Sequence, residues 1–267
     1  MPLDSRRICG PESTQSPHIF TVNKDIKSDI LLNGERKDGR KLDQIRPLFL
    51  RPGLISQAKG SAYIEQNHTK VICAVYGPRE VMRKEDFSMK GQLTCEFKFA
   101  TFSCKKKRQH QQDAEEKDLS VQLLEALEPA VQLDKFPKAQ VNVYITVLQN
   151  DGIALAASIT CASLALADAG IEMYDIVVGS SARIHGDVML VDPSEEEEYR
   201  SQDCKDVNEG KVVIGLMPSI NQISALTSKG EIDFETISQA IKTCIQTCQK
   251  VYPVLQNALV NSVKTKT

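Results

Sequence analysis

The segment from Leu148 to Gly170 has the outline of a phosphate-binding site: a strand enters the turn Asn150, Asp151, Gly152, and a helix rich in small residues leaves it. Amides in the first turn of such a helix are unpaired, sit at the positive end of its dipole and can hold an anion. The groups that would complete the site are missing. Ile153, Ala154 and Leu155 open the helix and supply neither a hydroxyl nor a cation, so on this short pattern alone a tight turn before a core helix is the favoured reading. The densest positive charge is the run Lys105, Lys106, Lys107, Arg108, which could grip phosphates by releasing counterions. Asp113, Glu115 and Glu116 follow it closely, and a solvated charged face accounts for the run as well. Arg79 follows Gly77 and Pro78, where a rigid loop could aim it at a ligand. Metal chemistry finds little support: His18, His68, His110 and His185 share no ligand spacing. Cys244 and Cys248 lie four apart on an apolar stripe that offers no third ligand, and read as core. No cofactor is expected.

The elements that must position these residues show in the periodicity. Ser61 to Glu65 and Thr69 to Tyr76 read as a hairpin, with Gly77 and Pro78 ending its second strand. Leu93, Cys95, Phe97 and Phe99 alternate with polar residues, the period of a strand with one buried face. The charged loop after it is expected to be mobile. Leu119, Leu123, Leu127 and Val131 recur every four residues, giving an amphipathic helix that Pro129 bends or ends. Val141, Val143, Ile145 and Val147 form the strand that leads into the Asp151 turn. The helix after the turn, with Ala154, Ala156, Ala157, Ala162, Ala165 and Ala167, is small enough to be approached closely and ends at Gly170, so a buried helix is expected. A second hairpin turns at His185 and Gly186 between Asp175–Arg183 and Asp187–Val191, and a solvated acidic loop follows around Glu195 to Glu198. Strands at Lys211 to Met217 and Ile220 to Leu226 precede a long helix with Asp233 as N-cap and a bend before Pro253. The order suggests one α+β domain of two similar halves.

Composition sets outer bounds. The chain has 267 residues and a formal net charge of −2, so no global basic field draws it to nucleic acid, and RNA contact has to come from a local patch. Eight cysteines without a CxxC pair read as free thiols in a reducing compartment. Neither a secretory signal nor a membrane span is expected, which places the protein in cytoplasm or nucleus. Residues 1–40 lack a sustained period and read as a tail or draped arm, with the folded part beginning near Arg46.

Three runs then carry a resemblance: VICAVYGPRE at Val71 to Glu80, EALEPAV from Glu125, and ASLALADAGIEMYDIVVG from Ala162. Over roughly residues 40 to 255 the chain resembles the RNase PH family, and MPSINQ, Met217 to Gln222, matches the exosome branch of it. MPLDSRRICGPE, QAKGSAYIE from Gln57 and YPVLQNALV narrow the likeness to one subunit within that branch. The resemblance implies an RNase PH-like single domain of two βαβα-like halves (ribosomal protein S5 domain 2-like) over residues 41–255, leaving 256–267 as a C-terminal helix end and tail. It also implies a hexameric ring around an RNA channel, with other RNase PH-like exosome ring subunits and an S1-domain cap subunit as partners, in nucleus, nucleolus and cytoplasm.

Active members of the family use inorganic phosphate to release nucleoside diphosphates from RNA 3′ ends. Their Gly-Ser-Arg or Gly-Thr-Arg phosphate loop corresponds here to Ile153, Ala154 and Leu155, their arginine pair to Ala114 and Glu115, and their catalytic acid to Lys211, with Glu209 a poor substitute nearby. Each lost charge-assisted bond to phosphate is worth roughly 1.5–3 kcal/mol, and a lost general acid about 10²–10⁴ in rate. A non-catalytic ring subunit is therefore expected, with Arg79 at the channel and Lys105, Lys106, Lys107 and Arg108 as further RNA candidates. A phosphate-dependent 3′-to-5′ exoribonuclease and a free RNA-binding module are the alternatives.

Overall fold

A computed structural model of the chain describes residues 31–32, 35–81, 88–105, 107–186, 188–199 and 208–266. Lys106, His18, Cys9, Cys204 and most of the expected tail lie outside the described residues. The chain enters through a small antiparallel ribbon, β1 (Leu31–Leu32) and β2 (Glu35–Arg36). Strands β3 (Leu48–Pro52), β4 (Gly60–Gln66), β5 (Thr69–Glu80) and β6 (Gln92–Phe99) lead to helix α1 (Ala114–Leu127), and β7 (Ala139–Gln149) follows. These five strands form one sheet in the order β3-β4-β5-β7-β6. Its pairs are antiparallel except β6 with β7, the two strands that α1 connects. Alternation sends Val71, Cys73 and Val75 of β5 and Val141, Val143, Ile145 and Val147 of β7 to one face, where all are buried.

Helix α2 (Ala154–Asp168) crosses this face and passes the chain to a second sheet. That sheet holds β8 (Val178–His185), β9 (Val188–Val191), β10 (Glu209–Met217) and β11 (Gln222–Glu231) in the order β11-β10-β8-β9, with the one-turn helix α3 (Glu195–Tyr199) between β9 and β10. The long helix α4 (Phe234–Lys266) closes the chain, burying Ala240, Cys244, Cys248 and Leu255. No helix among the described residues is long and apolar enough to cross a membrane.

The two sheets share α2. It packs on β4 and β5 with one side and on β8 with the other, and every residue from Ala154 to Leu166 is buried. Close approach explains its small residues. A Cβ on Gly60 of β4 would lie 2.4 Å from the Ala165 carbonyl oxygen, and one on Gly179 of β8 would lie 2.2 Å from that of Ala156. Buried hydroxyls find partners across the same contact: Ser163 donates to the Val177 carbonyl at 2.7 Å, and Thr160 accepts from the Gly179 amide at 2.9 Å.

The expected elements are present, with four differences. Gly77 and Pro78 do not end the second hairpin strand; β5 shifts register between Tyr76 and Arg79 and pairs with β7 as far as Glu80. Glu195 to Glu198 do not form a solvated loop; they build α3, and Glu197 is buried. The strand expected at Ile220 to Leu226 begins instead at Gln222 and runs on to Glu231. Packing also begins upstream of Arg46, since Arg36 and Arg40 are buried.

Candidate functional site

The turn at the start of α2 is fixed from three sides. Arg46, whose side chain is 1% exposed, holds both carboxylate oxygens of Asp192 and donates from Nη1 to the Asp151 carbonyl and to Thr69 Oγ1. The Glu195 amide donates to Asp151 Oδ1 at 3.3 Å, and the Asn150 amide donates to the Ser103 carbonyl at 3.0 Å. Gly152 takes φ +110° and passes so near the Pro193 carbonyl that a Cβ would stand 2.3 Å from it, so only glycine fits. Beside this, Arg36 forms a two-bonded pair with Glu197 at 2.8 and 2.5 Å and donates to the carbonyls of Val191 and Asp192. A pair of this kind with both partners buried is expensive to break from one side only. The N-terminal arm, the β9–α3 connection and the Asp151 turn are thereby tied into one block.

Against that block lies a cavity of about 60 Å³. Ile153, Ala154 and Leu155 form one wall; Arg108, Glu115, Glu198, Lys211 and Lys229 supply its charges. Helix α2 begins there without a side-chain cap, and Asn150 Oδ1 is buried at the rim with no hydrogen-bond partner among the described residues. Each cation meets a carboxylate: Arg108 with Glu115 at 2.9 Å, Lys211 with Glu198 at 2.7 Å, and Lys229 with Asp118 at 2.9 Å. Arg108 also stacks over Phe99, 4.2 Å from the ring centroid. Burial works against the Arg108 charge, but bonds to Cys104 and Glu115 outweigh it and raise its pKa. The Lys229 ammonium holds the Asp118 carboxyl below its usual range.

Of the positions singled out in the sequence, Glu115, Ile153, Ala154, Leu155 and Lys211 converge on this cavity. Ala114, the first residue of α1, is exposed and outside it. Glu209 also stays outside, engaged with His185 Nδ1 at 2.5 Å. The basic run divides. Arg108 belongs to the cavity rather than to a free loop, Lys105 pairs with Glu195 at 3.1 Å, Lys107 is exposed, and Lys106 is outside the described residues. Arg79 is exposed at the end of β5 with its guanidinium 5.3 Å from the Tyr76 ring centroid. Cys244 and Cys248 are buried free thiols that burial pushes up to about 11 and about 12, which suits core packing and removes them from reactivity at neutral pH. Sequence reasoning missed Arg36, Arg46, Glu198 and Lys229. The available signal was charge complementarity: three arginines at 36, 40 and 46 in a stretch without an apolar period, set against the acidic run at 195–198.

A family model described as 3′ exoribonuclease family, domain 1, matches residues 44–172. The human exosome complex component MTR3 is 39% identical over 282 residues, spanning 100% of this chain and 98% of that protein. The exosome complex component Rrp41 of Pyrococcus furiosus is 38% identical over 232 residues, spanning 85% of this chain and 88% of that protein. Among solved structures, a chain of the Archaeoglobus fulgidus exosome with RNA bound to the active site superposes with a TM-score of 0.71 at 24% identity, covering 83% of this chain and 92% of that one.

Proposed function

Because the chain belongs to the RNase PH-like 3′ exoribonuclease family and is related over its length to exosome ring subunits, we propose that it is a non-catalytic subunit of the RNA exosome ring. Within that ring it is the counterpart of MTR3, the mRNA-transport-regulator subunit. The observation that carries this is the cavity at the start of α2. Where an active member needs hydroxyl and cation for inorganic phosphate, this chain presents Ile153, Ala154 and Leu155, and each cation in reach is already paired with a carboxylate. A phosphate entering there would shed water without gaining free donors.

In this role the subunit completes and stabilises the ring and helps pass RNA to nucleases elsewhere in the complex, in rRNA maturation and mRNA turnover. Its partners are the neighbouring RNase PH-like subunits, an S1-domain cap subunit and RNA in the channel, in nucleus, nucleolus and cytoplasm. Arg79, exposed beside Tyr76, and Lys107, also exposed, are assigned to contact with an RNA backbone, a contact blind to sequence.

The competing reading, a phosphate-dependent exoribonuclease, is favoured by the presence of Arg108 and Lys211 at the cavity. Incubating the pure chain and the reconstituted ring with labelled RNA and inorganic phosphate separates the two. No nucleoside diphosphate traceable to this subunit is expected; release that Lys211→Ala abolishes would overturn the non-catalytic reading.

A further inference from the structure

The cavity at the start of α2 is more basic than the loss of a phosphate loop requires. Lys211 faces Lys229 across β10 and β11, and faces Arg183 across β10 and β8. Three like charges therefore share one row of the sheet, of which Lys211 and Lys229 line the cavity and Arg183 does not, and like charges directly opposite are destabilising unless counter-charges stand close. Arg108 reaches the same cavity from the loop before α1. The counter-charges come from outside the sheet: Glu198 of α3 on Lys211 and Glu115 of α1 on Arg108, with Asp118 meeting Lys229. Glu198 is the most enclosed of the three, its side chain 14% exposed.

From this geometry we infer that Glu115 and Glu198 are built-in counter-ions, so that the cavity is an anion site closed by its own carboxylates rather than one stripped of cations. This deepens the non-catalytic reading, on which it rests, by naming what keeps inorganic phosphate out. A free oxyanion and the two carboxylates compete for the same donors, the Arg108 guanidinium and the Lys211 ammonium. The carboxylates win because they are tethered, and a second anion beside them meets like charge. Exchange of each for its neutral amide keeps the side-chain shape, removes the repulsion and leaves both cations able to make charge-assisted bonds.

The test is phosphate and sulfate titration of the full chain by calorimetry, alongside thermal unfolding in the same salts. The double variant Glu115→Gln/Glu198→Gln is expected to bind phosphate on the order of tenfold or more tightly than the unaltered chain. Adding Arg108→Gln to it should abolish the gain. A folded double variant with no gain overturns the inference, and so does an unaltered chain that binds phosphate as tightly as the variant. Glu198→Gln alone is read in the same way should the double variant fail to fold. The two proposals fail separately: an unaltered chain that binds phosphate but releases no nucleoside diphosphate overturns only the closed-site inference, whereas phosphorolysis overturns the reading beneath it.

Discussion

Glu197 is one of the residues that attach the N-terminal arm, alongside the Val191 and Asp192 carbonyls. Burial alone would raise its pKa, but Arg36 and the Ser194 amide prevail and hold it below the ordinary value of 4.5. A carboxylate with a lowered folded pKa contributes its stability in full above the unfolded value and loses it as pH falls through the folded one. Urea unfolding at stepped pH should therefore show the unaltered chain losing stability from about pH 5 downward. Glu197→Gln, which keeps the shape and removes the charge, should already be weaker by about 1–3 kcal/mol at pH 7 and flatter on the acid side. An unchanged acid slope would show that the arm is held by something else. The same scale decides how much of the site could be read beforehand. The apolar start of α2 is a local pattern, and Ile153, Ala154 and Leu155 were legible in it. The partners of the cations were not, because Glu198 and Lys211 meet only in the fold, and no spacing in the chain announces that. For the same reason Arg108 read as one of four equal loop cations, although its seat over Phe99 and beside Glu115 makes it unlike Lys105 and Lys107.

At the scale of elements, α2 places the narrowest demands on sequence. Gly60→Ala and Gly179→Ala each force a Cβ against backbone atoms of this helix at 2.2–2.4 Å. Backbone cannot step aside as a flexible side chain would, so each exchange should cost at least about 1–3 kcal/mol in denaturant unfolding. Gly170 is the control: its φ is +70° but nothing lies within 4 Å of a Cβ there, so Gly170→Ala should cost only about 1 kcal/mol, from backbone conformation alone. Equal losses at all three positions would count against close packing as the reason for glycine. Most elements were legible because their periods are strong: the alternation in β6 and β7 and the alanines of α2 each point to a single buried face or to full burial. The misread stretches were those where tertiary contact overrides local chemistry. Pairing with β7 carries β5 past a Gly-Pro that locally reads as a stop, and Arg36 draws an acidic run inward that locally reads as solvated.

For the whole molecule, assembly is the property to measure. Coexpressed with its RNase PH-like neighbours, the chain is expected to elute within a single ring-sized species by size exclusion with light scattering; a chain that never leaves the monomer position would remove the scaffold role and favour a free RNA-binding module. Net charge, −2 over 267 residues, could not distinguish these, because it reports on the average surface and a channel contact needs only a few cations such as Arg79. The sharing of α2 bears on this role in mechanical terms. Both sheets grip one helix through glycine, so sliding of either sheet along α2 has to part backbone from backbone at Gly60 or Gly179. If the chain takes the proposed place in a ring, that close contact supports the wall independently of the chemistry at the helix's first turn, because Gly60 and Gly179 meet α2 at Ala165 and Ala156 rather than at Ile153 to Leu155.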